Sequence, residues 1–201
     1  MKVFHLAFCI PLLVNAASAN TSRSPQADGY TISIHLKGLP DGTKLYLLAK
    51  TDADLEKPGS KYRDTVAVTT ASGEKAGFSE AIVNKGKLFI VSIEGQKSTA
   101  SLLISNKEKI SVRGIMAEWP KVKVSGSKGT VQMTDFQNYL TSNILNQKGG
   151  AAIVEEMLKY ASAHPDNLYL PLILLQSASM TSDEKKTAFE KLSPVARDSY
   201  Y

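Results

Sequence analysis

The hydrophobic pattern of the chain changes its period at Gly126, and this change constrains the fold more than any other feature. Between residues 29 and 127, short segments alternate apolar and polar residues, which is the period-of-two pattern of half-buried strands. After Gly126, apolar residues recur every three to five positions, which is the pattern of amphipathic helices. The sequence therefore predicts an α+β protein in which a β-rich part precedes a helical part.

The β-rich part contains about seven or eight strand-like segments separated by turn residues. Tyr30 to Leu36 alternates apolar and polar side chains, the turn Pro40-Asp41-Gly42-Thr43 follows, and Lys44 to Ala49 is its partner strand. Further strands are predicted at 64–70, 78–83, 87–94, 100–105, 109–113 and 121–124. Strands this short and this regularly spaced predict an antiparallel sandwich or an open barrel, and we expect a β-sandwich domain over residues 29–127.

Residues 128–201 are predicted to form a helical appendage of about four helices. Two apolar faces run from Val131 to Leu145 and from Ala152 to Ala161. The apolar segment Leu168 to Leu175 is too short to span a membrane, so we expect a core helix there. Asp166 or Asn167 is its expected cap.

Capping residues mark two further helix starts near the end of the sequence. Thr181 and Glu184 are three residues apart and match a capping box, which opens a helix expected to run through Leu192. Ser193 followed by Pro194 has the N-cap and first-turn residues of another helix.

The first 19 residues have the layout of a secretory signal peptide. A short basic start precedes the apolar stretch Val3 to Val14, and Ala17-Ser18-Ala19 offers a small-x-small cleavage site. The apolar stretch is shorter than the roughly 20 residues that a membrane-spanning helix needs. We therefore expect export to the periplasm or cell envelope, with no transmembrane segment after cleavage and with residues 20–28 as a disordered leader.

The single cysteine of the chain, Cys9, lies inside this signal segment. Lipidation of Cys9 is not expected, because lipidation signals place a small residue before the cysteine and Phe8 is large. Cleavage after Ala19 would leave a mature chain without cysteine. Such a chain could form no disulfide, no thiol nucleophile and no cysteine metal site.

No catalytic, cofactor-binding or metal-binding residue is predicted. His35 and His164 each lack a second ligand at metal-binding spacing. The segment Gly126 to Thr130 has the letters of a phosphate loop with the wrong glycine spacing, so we interpret it as a strand-to-helix turn. The acidic group at 52–56 lacks the glycine and the terminal glutamate of a calcium loop, and the pair 155–156 is interpreted as a solvated helix face.

Two surface features leave alternatives open. Trp119 is interpreted as a core residue, with a ligand-stacking surface as the alternative. The net charge of +5 comes from lysines that are scattered along the chain and not interleaved with aromatic residues. We interpret these lysines as a solvated surface, and nucleic acid is not an expected partner.

Five segments resemble a β-rich domain, without an assigned function, that precedes a thioredoxin-like domain in secreted bacterial thiol:disulfide oxidoreductases. They are GYTISIHLKGLPDGTKLYLL (29–48), SLLISNKEKISVRG (101–114), VKVSGS (122–127), HPDNLYLPLILLQ (164–176) and FEKLSPVARDSYY (189–201). The resemblance implies an envelope protein associated with thioredoxin-like domains. The chain contains no Cys-x-x-Cys motif, so no catalytic residue of that family can be assigned to it.

These observations together predict a non-catalytic periplasmic or envelope module that binds or positions a partner. The expected partner is an envelope protein, for example a thioredoxin-like protein, docked at an exposed sheet edge or in a groove between sandwich and helices. One alternative is a truncated or frameshifted oxidoreductase, because the sequence stops about where the linker to a redox domain would begin. A small-molecule-binding protein or hydrolase is the remaining alternative.

Overall fold

The computed structural model describes residues 29–49, 64–80, 87–105, 107–143 and 150–199. The predicted signal peptide, the predicted leader and the acidic group at 52–56 lie outside the described residues. Within the described residues the fold is α+β, with eight strands in two sheets followed by five α-helices.

The eight strands form two four-stranded sheets. In chain order they are β1 (Tyr30–Lys37), β2 (Lys44–Ala49), β3 (Asp64–Thr70), β4 (Lys75–Glu80), β5 (Lys87–Ile93), β6 (Thr99–Ile104), β7 (Lys109–Ile115) and β8 (Val122–Ser125). The first sheet has the order β4-β1-β7-β8, and the second sheet has the order β3-β2-β5-β6. A short 3₁₀ turn, Met116–Glu118, connects β7 to β8.

The described strands pair antiparallel, as predicted, except for one pair. β1 and β7 run parallel in the centre of the first sheet, while the other described pairs are antiparallel. All of β2 to β6 lies between these two strands in the sequence, and an alternating pattern carries no information on strand direction. The predicted strand at 78–83 begins three residues earlier than expected, because pairing with β1 begins opposite His35 and β4 covers Lys75–Glu80. Residues 81–83 lie outside the described residues.

The two sheets bury their facing sides against each other. Alternate residues of the first sheet, such as Ile32, Ile34 and Val112, lie in one hydrophobic cluster with Leu45 and Val91 of the second sheet. This arrangement confirms that alternate positions of the strands face a common core. The opposite side of the first sheet faces solvent, since Ser33, His35 and the other intervening residues of β1 are largely exposed.

The helices are α1 (Lys128–Asn143), α2 (Gly150–Ala163), α3 (Leu170–Gln176), α4 (Ser182–Glu190) and α5 (Pro194–Asp198). They form a second hydrophobic cluster, which also includes Leu103 of β6. Leu102, the preceding residue, belongs to the cluster between the sheets. The helices therefore pack on the outer side of the second sheet. Among the described residues, no helix is long and apolar enough to cross a bilayer.

The predicted helix caps are confirmed at two positions and wrong at a third. The capping box of Thr181 and Glu184 is present at the start of α4, and Ser193 Oγ accepts a hydrogen bond from Ala196 N–H at 3.3 Å in α5. Neither Asp166 nor Asn167 caps α3, whose N-cap is Tyr169 without a side-chain hydrogen bond. Asn167 Oδ1 instead accepts from Tyr169 N–H at 2.9 Å and forms a turn before the helix.

Candidate functional site

The two histidines considered in the sequence, His35 and His164, lie in different elements of the fold and have different neighbours. His35 is exposed on the outer face of the first sheet, with its Nε2 3.7 Å from Glu74 Oε2. His164 follows α2, and its ring lies 4.2 Å from the ring of Tyr160. Within the described ranges, no three His, Cys, Asp or Glu side chains gather where they could hold a metal ion.

Trp119 is a core residue, as its preferred interpretation predicted. Its exposed fraction is 8%, and it belongs to the cluster between the two sheets. The indole Nε1–H donates a hydrogen bond to the carbonyl oxygen of Ser98 at 2.8 Å. Because both the ring and its polar atom are occupied by the protein, Trp119 offers no stacking surface to a ligand.

The segment Gly126 to Thr130 is the turn between β8 and α1, and its side chains form hydrogen bonds to β6. Ser127 Oγ donates to the carbonyl of Leu103 at 2.6 Å and accepts from Thr130 N–H at 3.1 Å, so it caps the helix. Thr130 Oγ1 accepts from Leu103 N–H at 2.9 Å. We call the set Leu103, Ser127 and Thr130 the β6–α1 junction.

A carboxylate of the protein itself occupies the start of α1. One oxygen of Glu108 accepts from Lys128 N–H at 3.1 Å and the other from Ser105 N–H at 2.8 Å. A negative charge at this position is favourable, because the first amide groups of a helix carry partial positive charge. The segment Gly126 to Thr130, whose sequence is similar to a phosphate loop, therefore serves packing and helix capping.

Tyr139 of α1 and Glu156 of α2 join the first two helices through a hydrogen bond from the phenol to the carboxylate. Lys159 Nζ lies 3.0 Å from the other oxygen of Glu156. These contacts, Tyr139 first, lower the pKa of Glu156, and the same hydrogen bond is the main reason why the pKa of Tyr139 is raised to about 12. The interpretation of 155–156 as a solvated face fits the exposed Glu155 and is wrong for Glu156, whose side chain is only 15% exposed.

Replacing Tyr139 with phenylalanine is expected to lower the melting temperature at about pH 7 and to have a smaller effect at about pH 3. A carboxyl whose pKa is lowered by folding adds stability above its unfolded pKa, and this stability is lost as the pH falls through the folded pKa. Thermal melts of Tyr139→Phe across this range measure the effect. Tyr46→Phe on β2 is the control, and a loss for Tyr139→Phe that does not change with pH would contradict the role of Glu156.

A row of basic side chains crosses the outer face of the first sheet. His35 of β1 is paired with Lys75 of β4 on one side and with Arg113 of β7 on the other, and Arg113 is paired with Lys123 of β8. All four residues are exposed. Adjacent strands lie about 4.8 Å apart, so the row spans roughly 14 Å. We call Lys75, His35, Arg113 and Lys123 the cationic row.

One pair within the cationic row is unfavourable for the stability of the sheet itself. Arg113 and Lys123 are cross-strand partners, and like charges directly opposite each other destabilise a sheet. Glu74 lies beside His35, but Lys75, Arg113 and Lys123 form no ion pair with any carboxylate of the described residues. A surface arrangement that lowers the stability of the fold, and that no stabilising contact offsets, is typical of a surface that contacts a ligand. The basic side chains make this face a candidate site for an anion.

The sequence interpretation of scattered, solvated lysines missed this row. Lys75, His35 and Arg113 are 38 or more positions apart in the sequence, and only the register of β4, β1, β7 and β8 brings the four residues together. A weak signal was present. A serine lies two residues from the basic residue in Ser33-x-His35, Ser111-x-Arg113 and Lys123-x-Ser125, which places both on the exposed side of each strand.

A groove between β8 and α1 corresponds to the predicted groove between sandwich and helices. Its volume is about 250 Å³, and its lining is mainly apolar, with Val122, Val124 and Val131. Lys123 and Asp135 are the charged residues of the lining. The groove is open, and these two opposite charges give it no net preference for a cation or an anion.

Comparison of the chain with protein-family models and with curated proteins finds no match. The resemblance to redox-associated envelope domains therefore stays a prediction, and the cationic row rests on geometry alone.

Proposed function

We propose that this chain is an exported, non-catalytic binding module that docks onto an anionic polymer of the cell envelope through the cationic row. One observation carries the proposal. Basic side chains from four strands form a single exposed row, although repulsion between the cross-strand partners Arg113 and Lys123 opposes it. Export is part of the proposal on the basis of the N-terminal segment, which has the layout of a signal peptide.

The cationic row favours an anionic polymer over the thioredoxin-like partner that the resemblance implies. A polymer with repeated negative groups can contact several members of a row about 14 Å long at once. Multiple weak contacts of this kind give binding that depends strongly on salt concentration. A thioredoxin-like partner was expected at an exposed sheet edge or in the groove between β8 and α1, and that groove contains only Lys123 of the row.

Neutralising the row is expected to weaken binding and to leave the fold intact or slightly stabilised. In the variant Lys75→Gln/Arg113→Gln/Lys123→Gln, affinity for polygalacturonate and polyphosphate should fall about 100-fold at low salt. This value assumes about 1 kcal/mol for each basic side chain near an anionic surface. The melting temperature should not fall, because the Arg113–Lys123 repulsion is removed. Calorimetric titration and thermal melts measure the two effects.

The matched control is Lys97→Gln/Lys186→Gln/Lys191→Gln, which changes net charge by the same amount at exposed positions outside the first sheet. The proposal predicts that this control keeps most of the affinity. Equal losses in the two variants would show that only net charge matters and would contradict docking at the row. A neutralised row that binds both polymers as tightly as the wild type would also refute the proposal.

A further inference from the structure

The groove between β8 and α1 has the edge of a strand as one wall and a helix face as the other. The helix wall consists of residues from successive turns of α1, namely Thr130, Val131, Thr134 and Asp135. The strand wall consists of the consecutive residues 122–124. Consecutive side chains of a strand point to opposite faces of its sheet, so a groove lined by this whole segment runs along the edge of β8.

The outer edge of β8 presents backbone groups that have no partner among the described residues. β8 is the last strand of the first sheet, and β7 is the strand with which it pairs. Every second residue of such an edge strand directs its N–H and C=O groups away from the sheet. No described residue forms a hydrogen bond with these groups of β8. At β6, in contrast, both backbone groups of Leu103 bond to side chains of the β6–α1 junction.

The dimensions of the groove suit a short stretch of extended chain. The strand wall belongs to a strand of 4 residues, which is about 13 Å long. The helix wall, from the start of α1 to Asp135, rises about 12 Å. A volume of about 250 Å³ has room for a few side chains and not for a folded domain. About four residues of an extended peptide would match this length.

The lining favours a peptide in which apolar and acidic side chains alternate. Val122 and Val124 pack against the cluster between the sheets, so they point inward, whereas Lys123 is exposed on the outer face. Val131 forms part of the helix wall and is 45% exposed. A strand added beside β8 would alternate in the same way. Its inward side chains would contact Val131, and its outward side chains would lie beside Lys123, where a carboxylate is favourable.

We propose that the groove binds an extended segment of a partner protein, which adds to the edge of β8 as a fifth strand of the four-stranded first sheet. Hydrogen bonds between the two main chains supply affinity in this mode of binding, and the alternate side chains supply specificity. The inference goes beyond the proposed function and does not depend on it, because the open edge of β8 and the apolar lining carry it.

The test uses the full chain and a peptide of about seven residues with blocked ends, in which valine alternates with glutamate. Two N-methylated forms of this peptide separate strand pairing from apolar contact, since only alternate amides of an added strand face β8. One form carries methyl groups on the odd-numbered amides and the other on the even-numbered amides. Strand addition predicts that one form binds about tenfold more weakly and that the other stays within about threefold of the unmethylated peptide.

Val131→Glu places a charge in the groove and should weaken binding of the unmethylated peptide about tenfold. The matched control is Val195→Glu, because Val195 is 65% exposed in the first turn of α5. The control should keep the affinity for the peptide, and both variants should keep the affinity for polygalacturonate within about twofold.

Three results would overturn the inference. They are no binding of the unmethylated peptide at about 1 mM, equal affinities of the two methylated forms, and unchanged peptide affinity of Val131→Glu. None of them affects the proposed function, because Val131 lies outside the cationic row and polygalacturonate binding is measured separately.

Discussion

Replacing Gly126 with alanine is expected to destabilise the protein by about 3–5 kcal/mol, which is a large share of the stability of an ordinary domain. Gly126 has a φ of +81° at the turn between β8 and α1. A β-carbon at this position would lie 1.9 Å from the carbonyl oxygen of Lys109. The backbone of β7 or of the turn must therefore move, and this movement would disturb the pairing of β7 with β8.

The expected loss of stability in Gly126→Ala has two causes, backbone strain and steric overlap. A variant of a second glycine separates them. Gly95 has a similar φ of +77°, but its added β-carbon would meet no atom within 4 Å. Gly95→Ala should therefore cost only the strain of the left-handed conformation, about 1–2 kcal/mol. Urea denaturation of both variants measures the difference. Similar losses for the two would show that the close approach of Gly126 to Lys109 contributes little.

Replacing Thr130 with valine is expected to cost about 1–3 kcal/mol of stability. Valine keeps the branched shape of threonine and removes its hydroxyl, which accepts from Leu103 N–H at 2.9 Å within the β6–α1 junction. Both residues are buried, so water is not available to replace the lost acceptor. The backbone N–H of Leu103 would then be left without a partner inside the protein.

Thr134→Val is the control for this prediction. Thr134 lies one turn later in α1, is exposed, and donates its hydroxyl to Thr130 O within the same helix. Its replacement should change stability by less than about 0.5 kcal/mol. Equilibrium denaturation measures the stability of both variants. If their m-values are equal, their denaturation midpoints can be compared directly. A loss for Thr130→Val that does not exceed the loss for Thr134→Val would contradict the role of the junction.

Local patterns in the sequence predicted most of the elements. The alternation of Tyr30 to Leu36 determines which residues of β1 face the core, because inward and outward positions must differ in polarity. The capping box at Thr181 and Glu184 marks the start of α4 through interactions among neighbours in the chain. Such features are visible in a sequence because the interacting residues are close together along the chain.

Features that depend on distant pairing were not predicted. The parallel pairing of β1 with β7 joins segments about 80 positions apart, and it fixes which exposed side chains become neighbours. His35 and Arg113 belong to the cationic row only through this pairing. The half-buried state of Glu156 likewise depends on Tyr139 of another helix. A single sequence without pairing information contains no direct signal for these contacts.

The most direct test of the central claim is an amide chemical-shift titration of the isotopically labelled full chain with oligogalacturonate. We predict that the largest changes occur in β1, β4, β7 and β8, centred on Ser33, His35, Arg113 and Lys123. Their dependence on added salt should follow the affinity measured by calorimetry. Changes concentrated in the second sheet, in the helices or in the groove between β8 and α1, with the outer face of the first sheet unaffected, would contradict the claim that the cationic row binds the polymer.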